Sequence, residues 1–338
     1  MIKEAIARLT ENKDLTSEQM RQSMLEILSG TTETADIIAF LASLNTKGET
    51  VEELTAAVSV MIKYIDAIVV DKPNILDTCG TGGDKKGTFN ISTVVAFVAS
   101  GAGITVAKHG NRSVSSKCGS ADILEALGVN INMDKNKIKK CLEEIGIAFL
   151  FAPNLHPAMK HVMPARRQIA SKTMFNILGP LINPARATNQ LIGVYSPRWT
   201  SILSRVLYNL GSLHVMVVHG KDGLDEITTT DTTAVSESYK GKFRDYEIAP
   251  EDFGFKRSSL QDLTGGSLQE NARIVLDILN GKKGPQRDIV LLNAGSAIYV
   301  ADKAVNIQQG IELAAKSIDS KEALQKLELL KGYSNAQS

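Results

Sequence analysis

From Pro73 onward the chain repeats one pattern: a short apolar segment runs into a polar, glycine-rich loop, and the loop opens a helix. Ile75-Leu76 leads to Cys79-Gly80-Thr81-Gly82-Gly83-Asp84, and Ile104-Thr105-Val106-Ala107 leads to Lys108-His109-Gly110-Asn111-Arg112. Val215-Met216-Val217-Val218 leads to His219-Gly220-Lys221-Asp222-Gly223, and Ile289-Val290-Leu291-Leu292 leads to Asn293-Ala294-Gly295. Short continuous apolar runs are what strands covered on both faces look like. The pattern therefore predicts an α/β domain with a mainly parallel central sheet. Ligands of such sheets bind beyond the carboxyl ends of the strands, where these loops fall.

The residues before Pro73 show no strand pattern. Thr16 with Gln19 forms a capping-box signature, Met20, Met24, Ile27 and Leu28 share a helical face, and Gly30 marks the stop. A second helix carries Ile37, Ile38, Leu41 and Leu44 and closes at Gly48. A third opens at Thr50 with Glu53 and carries Leu54, Val58, Met61, Ile62 and Ile65. A small all-helical unit is expected here. Between His156 and Pro184 lies a stretch rich in Arg, Lys, Asn and Pro, helix-compatible from Ala158 to Thr173, that could cross back to this unit and leave a cleft. Gly332 to Ser338 is expected to fray.

At 338 residues the chain is long enough for about two domains. Lys+Arg (38) and Asp+Glu (37) nearly cancel, so no global basic excess points to nucleic acid. Three scattered cysteines make neither a disulfide framework nor a zinc pattern, and suit a reducing compartment. The charged N-terminus does not read as a secretory signal. The uncharged stretch Ile91 to Ala107 is interrupted by Ser92, Thr93, Ser100, Gly101 and Gly103, which argues against a membrane span. A cytoplasmic protein with no membrane partner is expected.

Four segments could carry chemistry. Gly80 to Thr93 places close glycines before Asn90, Ser92 and Thr93 at the mouth of an apolar helix, which suits a phosphate. The same residues would also serve as a glycine-rich turn with an ordinary cap. The segment is neither a Walker A loop nor a dinucleotide fingerprint. Lys108 to Asp122 combines cations, hydroxyls and glycines, as a polyphosphate site or a solvated polar loop would. Asp225-Glu226 offers hard oxygen ligands that favour Mg²⁺ over zinc, and gains weight only beside the phosphate-like loops. Arg166-Arg167 reads first as a basic helix face, although a buried arginine could clamp a carboxylate. His109 reads first as a structural histidine.

Taken together, Gly80–Asp84, Asn90–Thr93, Lys108–Arg112 with Ser115-Ser116, Phe175–Pro180 with Asn183-Pro184, and Asp222–Glu226 resemble the anthranilate phosphoribosyltransferase family over roughly Pro73 to Thr228. The resemblance implies transfer of a phosphoribosyl group from phosphoribosyl pyrophosphate to anthranilate in tryptophan biosynthesis, with two Mg²⁺ ions. It also implies a nucleoside-phosphorylase-like fold with a helical dimerisation domain over 1–72, joined by part of 165–187. The α/β domain would then comprise 73–164 and 188–338, and the protein would be a homodimer. Donor contacts implied are Gly80, Gly83, Asp84 and Thr88, then Asn90, Ile91, Ser92 and Thr93. They continue with Lys108, which acts electrostatically, then His109, Gly110, Asn111 and Arg112, and with Ser113, Val114, Ser115, Ser116 and Ser120. Anthranilate contacts implied are Gly80, Asn111 and Arg166, with His109 and His156 in the same cleft. Ser92, Asp225 and Glu226 match the metal positions. Lys85-Lys86 and Ala170-Ser171-Lys172 depart from the family pattern. Two other readings share the fold: a pyrimidine nucleoside phosphorylase-like enzyme, and a nucleic-acid-binding homologue without activity.

Overall fold

The computed structural model describes residues 1–112, 118–169 and 171–336. Helices α1 (Ile2–Thr10), α2 (Ser17–Ser29), α3 (Thr34–Lys47) and α4 (Val51–Met61) form the first part of the chain. Thr16/Gln19 and Thr50/Glu53 are reciprocal capping boxes, and Gly30 ends α2 in the left-handed conformation. Glu53 does more than cap. Its buried carboxylate also accepts from the Leu15 N–H at 2.9 Å and from Lys47 Nζ at 2.8 Å, tying the loop between α1 and α2 and the end of α3 to α4.

A seven-stranded sheet follows: β1 (Leu76–Asp77), β2 (Val106–Gly110), β3 (Ile147–Phe151), β4 (Asn189–Gly193), β5 (His214–Gly220), β6 (Thr233–Tyr239) and β7 (Lys242–Ile248). The order is β3-β2-β1-β4-β5-β6-β7, parallel from β3 through β5 and antiparallel at β6 and β7. Chain order runs outward in both directions from the β1/β4 junction, which makes it the topological switch point. The remaining helices are α5 (Ile91–Gly101), α6 (Ser120–Ala126), α7 (Lys135–Lys140), α8 (Ala152–Leu155), α9 (Met163–Gln168), α10 (Trp199–Asn209), α11 (Leu268–Leu279), α12 (Pro285–Val300), α13 (Ile307–Asp319) and α14 (Glu322–Asn335).

Alternation along the strands separates two cores. Leu191, Met216 and Val218 face α5, α12 and the C-terminal helices. Ile192, Val215 and Val217 face α10, the N-terminal helices and part of segment 162–182. Among the described residues no helix is long and apolar enough to cross a membrane.

Four expectations are corrected. Ile289–Leu292 is not a strand but the middle of α12, and Asn293-Ala294-Gly295 is not a loop but its continuation. The helix starts at Pro285 and is buried on every side from Ile289 to Ile298, so its apolar run lacks helical alternation. Lys108, His109 and Gly110 belong to the end of β2 rather than to a loop. The C-terminus stays helical to Asn335, because Ser334 is buried and its Oγ accepts from the Asn130 N–H at 3.0 Å. Ala158–Thr173 is no continuous helix: Pro157–His161 is a 3₁₀ turn and α9 stops at Gln168.

Candidate active site

The loop after β1 is bound to the end of β4. The Thr81 N–H donates to the Gly193 carbonyl at 2.8 Å, and the Tyr195 N–H donates to Thr81 Oγ1 at 3.1 Å. A Cβ on Gly80 would stand 3.0 Å from that same Gly193 oxygen. Further along, Gly82, Gly83, Lys85 and Gly87 take positive φ, and Thr88 bridges to Thr264. Asn90 then caps α5, with Thr93 Oγ1 bonded to Asn90 Oδ1. Ile91 and Thr93 are buried, and Ser92 is half-buried.

Lys108 is brought to this helix mouth. Its buried Nζ donates to Ser92 Oγ at 3.1 Å and to the Thr78 carbonyl at 3.3 Å. Burial lowers its proton affinity, opposed by Cys79, Asp77 and Glu226. No carboxylate forms an ion pair with it among the described residues, so its charge remains available to an anion.

The loop after β5 supplies the acids. Asp222 shapes it by accepting from Thr228 Oγ1 at 2.7 Å, from Thr230 Oγ1 and from the Leu224 N–H at 3.0 Å. Asn293 on α12 clamps its far end, donating to the Ile227 carbonyl at 2.7 Å and accepting from the Ile227 N–H at 3.0 Å. Between these anchors, Asp225 and Glu226 converge with Asp84. Burial pushes Glu226 up to about 8; Lys108 and the Ser92 N–H oppose the rise and Asp84 adds to it. Burial, then Asp84 and Glu226, hold Asp225 well above the usual carboxylate range. Crowded carboxylates at one point are relieved by a divalent cation, and an all-oxygen set suits Mg²⁺. A second group, Asp77, Cys79 and His109, has ligand atoms within 4.8 Å of one another. There burial keeps the thiol protonated and Lys108 stands beside it, so it is the poorer site for a hard cation.

Below the sheet end, His109 Nε2 meets His156 Nε2 at 2.9 Å. Burial first, and for His109 also His156 and Lys108, lowers them to about 3 and about 4, so both are neutral. Asp77 accepts from the His109 N–H at 3.2 Å and from Asn183 Nδ2 at 2.7 Å, which fixes β2 to the crossing segment. Arg166 sits half-buried on α9, which packs on α3; burial lowers its proton affinity, and it has no ion-pair partner among the described residues. Arg167 is exposed.

Several expected donor contacts lie apart from this cluster. Arg112 is exposed and committed to Glu125 at 2.5 Å and Asp122 at 2.9 Å. Asn111 is exposed, and its carbonyl accepts from Ser120 Oγ at 3.3 Å beside Gly110. Ser113, Val114, Ser115 and Ser116 lie outside the described residues. Conversely, Thr78, Gly193, Asp222 and Asn293 shape the site without having been singled out for it. Asp222 was visible as the first residue of Asp222–Glu226. The others act through contacts distant in sequence.

The helical bundle packed on an α/β domain, with a cationic helix mouth facing acids at the switch point, matches a glycosyl transferase family in both of its parts. Residues 3–65 match the glycosyl transferase family helical bundle domain, and residues 72–324 match that family's a/b domain. The chain is 48% identical to an anthranilate phosphoribosyltransferase of Acetivibrio thermocellus, over 99% of this chain and 97% of the relative. It superimposes with a TM-score of 0.93 on the crystal structure of anthranilate phosphoribosyltransferase from Thermus thermophilus, at 38% identity, covering 98% of this chain and 99% of that one. The Saccharomyces cerevisiae enzyme in complex with PRPP and Mg superimposes at 0.90, with 28% identity over 99% of this chain and 98% of that one. The chain belongs to the anthranilate phosphoribosyltransferase family.

Proposed function

We propose that the protein transfers the 5-phosphoribosyl group of phosphoribosyl pyrophosphate to the amine of anthranilate. The products are N-(5-phosphoribosyl)anthranilate and pyrophosphate, a step of tryptophan biosynthesis. The observation that carries this reading is the meeting of Lys108, Ser92, Asp84, Asp225 and Glu226 at the switch point of a chain belonging to this family throughout its length.

The reaction replaces pyrophosphate by an amine at the anomeric carbon. The N–H groups of Gly82 and Gly83 and the mouth of α5 donate to phosphate oxygens, while the Thr81 N–H stays on the Gly193 carbonyl. Lys108, held by Ser92 and Thr78, supplies a fixed positive field where negative charge accumulates on the leaving group. Ser92, Asp225 and Glu226, with Asp84 beside them, hold Mg²⁺, two ions per site, which neutralise pyrophosphate as Lewis acid and template when bound. The half-buried Arg166, which has no ion-pair partner among the described residues, clamps the anthranilate carboxylate near Gly80, Asn111, His109 and His156. The arylamine is neutral at pH 7, so the site orients its lone pair and needs no strong base. Neutral His109 and His156 fit that requirement.

The domain division at 1–72 with part of 165–187 is part of the reading, supported by the core that joins the N-terminal helices to segment 162–182. So are a homodimer formed through the helical unit and a cytoplasmic location, which three cysteines scattered along the sequence suit. The test mixes the protein with Mg²⁺, phosphoribosyl pyrophosphate and anthranilate and follows anthranilate fluorescence. Its loss with stoichiometric pyrophosphate release is expected. Unchanged fluorescence, with ribose 1-phosphate formed instead from thymidine and phosphate, would replace this reading by a nucleoside phosphorylase.

A further inference from the structure

We propose that Lys172 is a positioning residue of the donor site: seated on the Tyr195 ring, it holds the Gly83 carbonyl and so fixes the Gly83–Asp84 peptide of the phosphate loop. The inference rests on the reading of that loop as the donor site. The Lys172 ammonium lies 3.2 Å from the Tyr195 ring centroid and donates to the Gly83 carbonyl at 3.1 Å. It has no carboxylate at ion-pair distance among the described residues, although Asp84 and Asp225 lie within its field. Its hydrogen bond goes to a backbone oxygen, so what it controls is the backbone.

The loop needs such control. Its first half is tied to the end of β4 through Thr81, Gly193 and the Tyr195 N–H. Its second half has Gly82 at φ 64°, Gly83 at φ 84° and Lys85 at φ 60°, and the two glycines have no Cβ to resist rotation of the peptide that follows. The Gly83–Asp84 peptide is trans, so a Gly83 carbonyl turned to Lys172 turns the Asp84 N–H the opposite way. Reversal of this peptide would exchange a donor for an acceptor on the face opposite Lys172, where an anion would lose an N–H and meet an oxygen. Tyr195 thus serves the loop twice, through its N–H on Thr81 and through its ring under Lys172.

Steady-state kinetics with both substrates, together with thermal melting, test this on Lys172→Met, Lys172→Arg, Tyr195→Leu and Tyr195→Phe. Lys172→Met is expected to raise the donor KM about 10- to 100-fold, the scale of one charged hydrogen bond. The anthranilate KM should stay within about two-fold and the melting temperature should hold. Lys172→Arg should restore most of the loss, because guanidinium both stacks and donates. Tyr195→Leu should follow Lys172→Met, and Tyr195→Phe, which keeps the ring under Lys172, should raise the donor KM far less than Tyr195→Leu. An unmoved donor KM in Lys172→Met, an equal rise for anthranilate, or no rescue by Arg overturns the assignment. If Lys172→Met does not fold, the Tyr195→Leu and Tyr195→Phe pair decides. Absence of turnover in the parent protein refutes the transferase reading itself; turnover in the parent with an indifferent Lys172→Met refutes only the role of Lys172.

Discussion

Gly193 offers the sharpest test of how the acidic loop is held. It ends β4 with an ordinary negative φ, so alanine would meet no backbone strain there. The obstacle is space. A Cβ at Gly193 would overlap the carbonyl group of Asp225 and stand 3.2 Å from the Glu226 nitrogen. Neither atom belongs to a flexible side chain, and the loop is anchored on both sides by Asp222 and Asn293. The Asp225–Glu226 peptide must therefore retreat by more than about 1 Å, a misplacement that can cost about 100-fold in rate. Overpacking at a rigid contact adds about 1–3 kcal/mol of destabilisation. Gly193→Ala should thus lower kcat/KM about 100-fold and raise the Mg²⁺ needed for half-maximal rate, with a measurable fall in melting temperature. Gly332→Ala is the control: it lies in α14 with nothing within 4 Å of the new methyl, and should leave activity intact. Parent-like Mg²⁺ dependence and kcat/KM in Gly193→Ala would refute the steric argument.

Three further outcomes follow from the same geometry. Asp225→Ala combined with Glu226→Ala should abolish Mg²⁺-dependent turnover while the fold, monitored by circular dichroism, persists; an undiminished steady-state rate would remove these residues from the metal site. Arg166→Ala should raise the anthranilate KM about 10-fold or more, as expected for a lost carboxylate clamp, whereas Arg167→Ala should not; a change confined to the donor KM would contradict the clamp. Glu237 is buried at the far end of the sheet, and burial alone would raise it. Donors from His214 at 2.8 Å, Tyr299 at 2.8 Å and Tyr246 at 2.9 Å outweigh that and lower it. Its stabilising contribution is therefore present above pH 4.5 and is lost as pH falls through the lowered folded value. Glu237→Gln should cost about 2 kcal/mol or more at pH 7 and flatten the acid side of the stability profile; an unchanged profile in denaturant melts would refute this.

What could be read in the sequence was local. The capping boxes at Thr16/Gln19 and Thr50/Glu53 and the Gly30 stop declare themselves within a few residues. Strand β5 and the start of β2 show as apolar runs, and the loops after β1 and β5 show their glycines and acids. Strand β4 was not legible, because its first residues are the buried Asn189 and Gln190. Their amides are satisfied from outside the strand, by the Val300 carbonyl at 2.6 Å and the Pro180 carbonyl at 3.3 Å. Helix α12 was misread because burial on all sides erases the period that distinguishes helix from strand. With β4 unseen, the place of Gly193 against Asp225 could not be inferred, nor could the seat of Lys172 on Tyr195. Both depend on segments that meet only in the folded chain.

A crystal structure of the protein with phosphoribosyl pyrophosphate and Mg²⁺ tests the central claim most directly. Phosphate oxygens are expected on the N–H groups of Gly82 and Gly83 and the mouth of α5, with Lys108 within hydrogen-bond reach of the pyrophosphate and metal on Ser92, Asp225 and Glu226. Ligand bound away from the β1/β4 junction, or metal held without either Asp225 or Glu226, would contradict the claim.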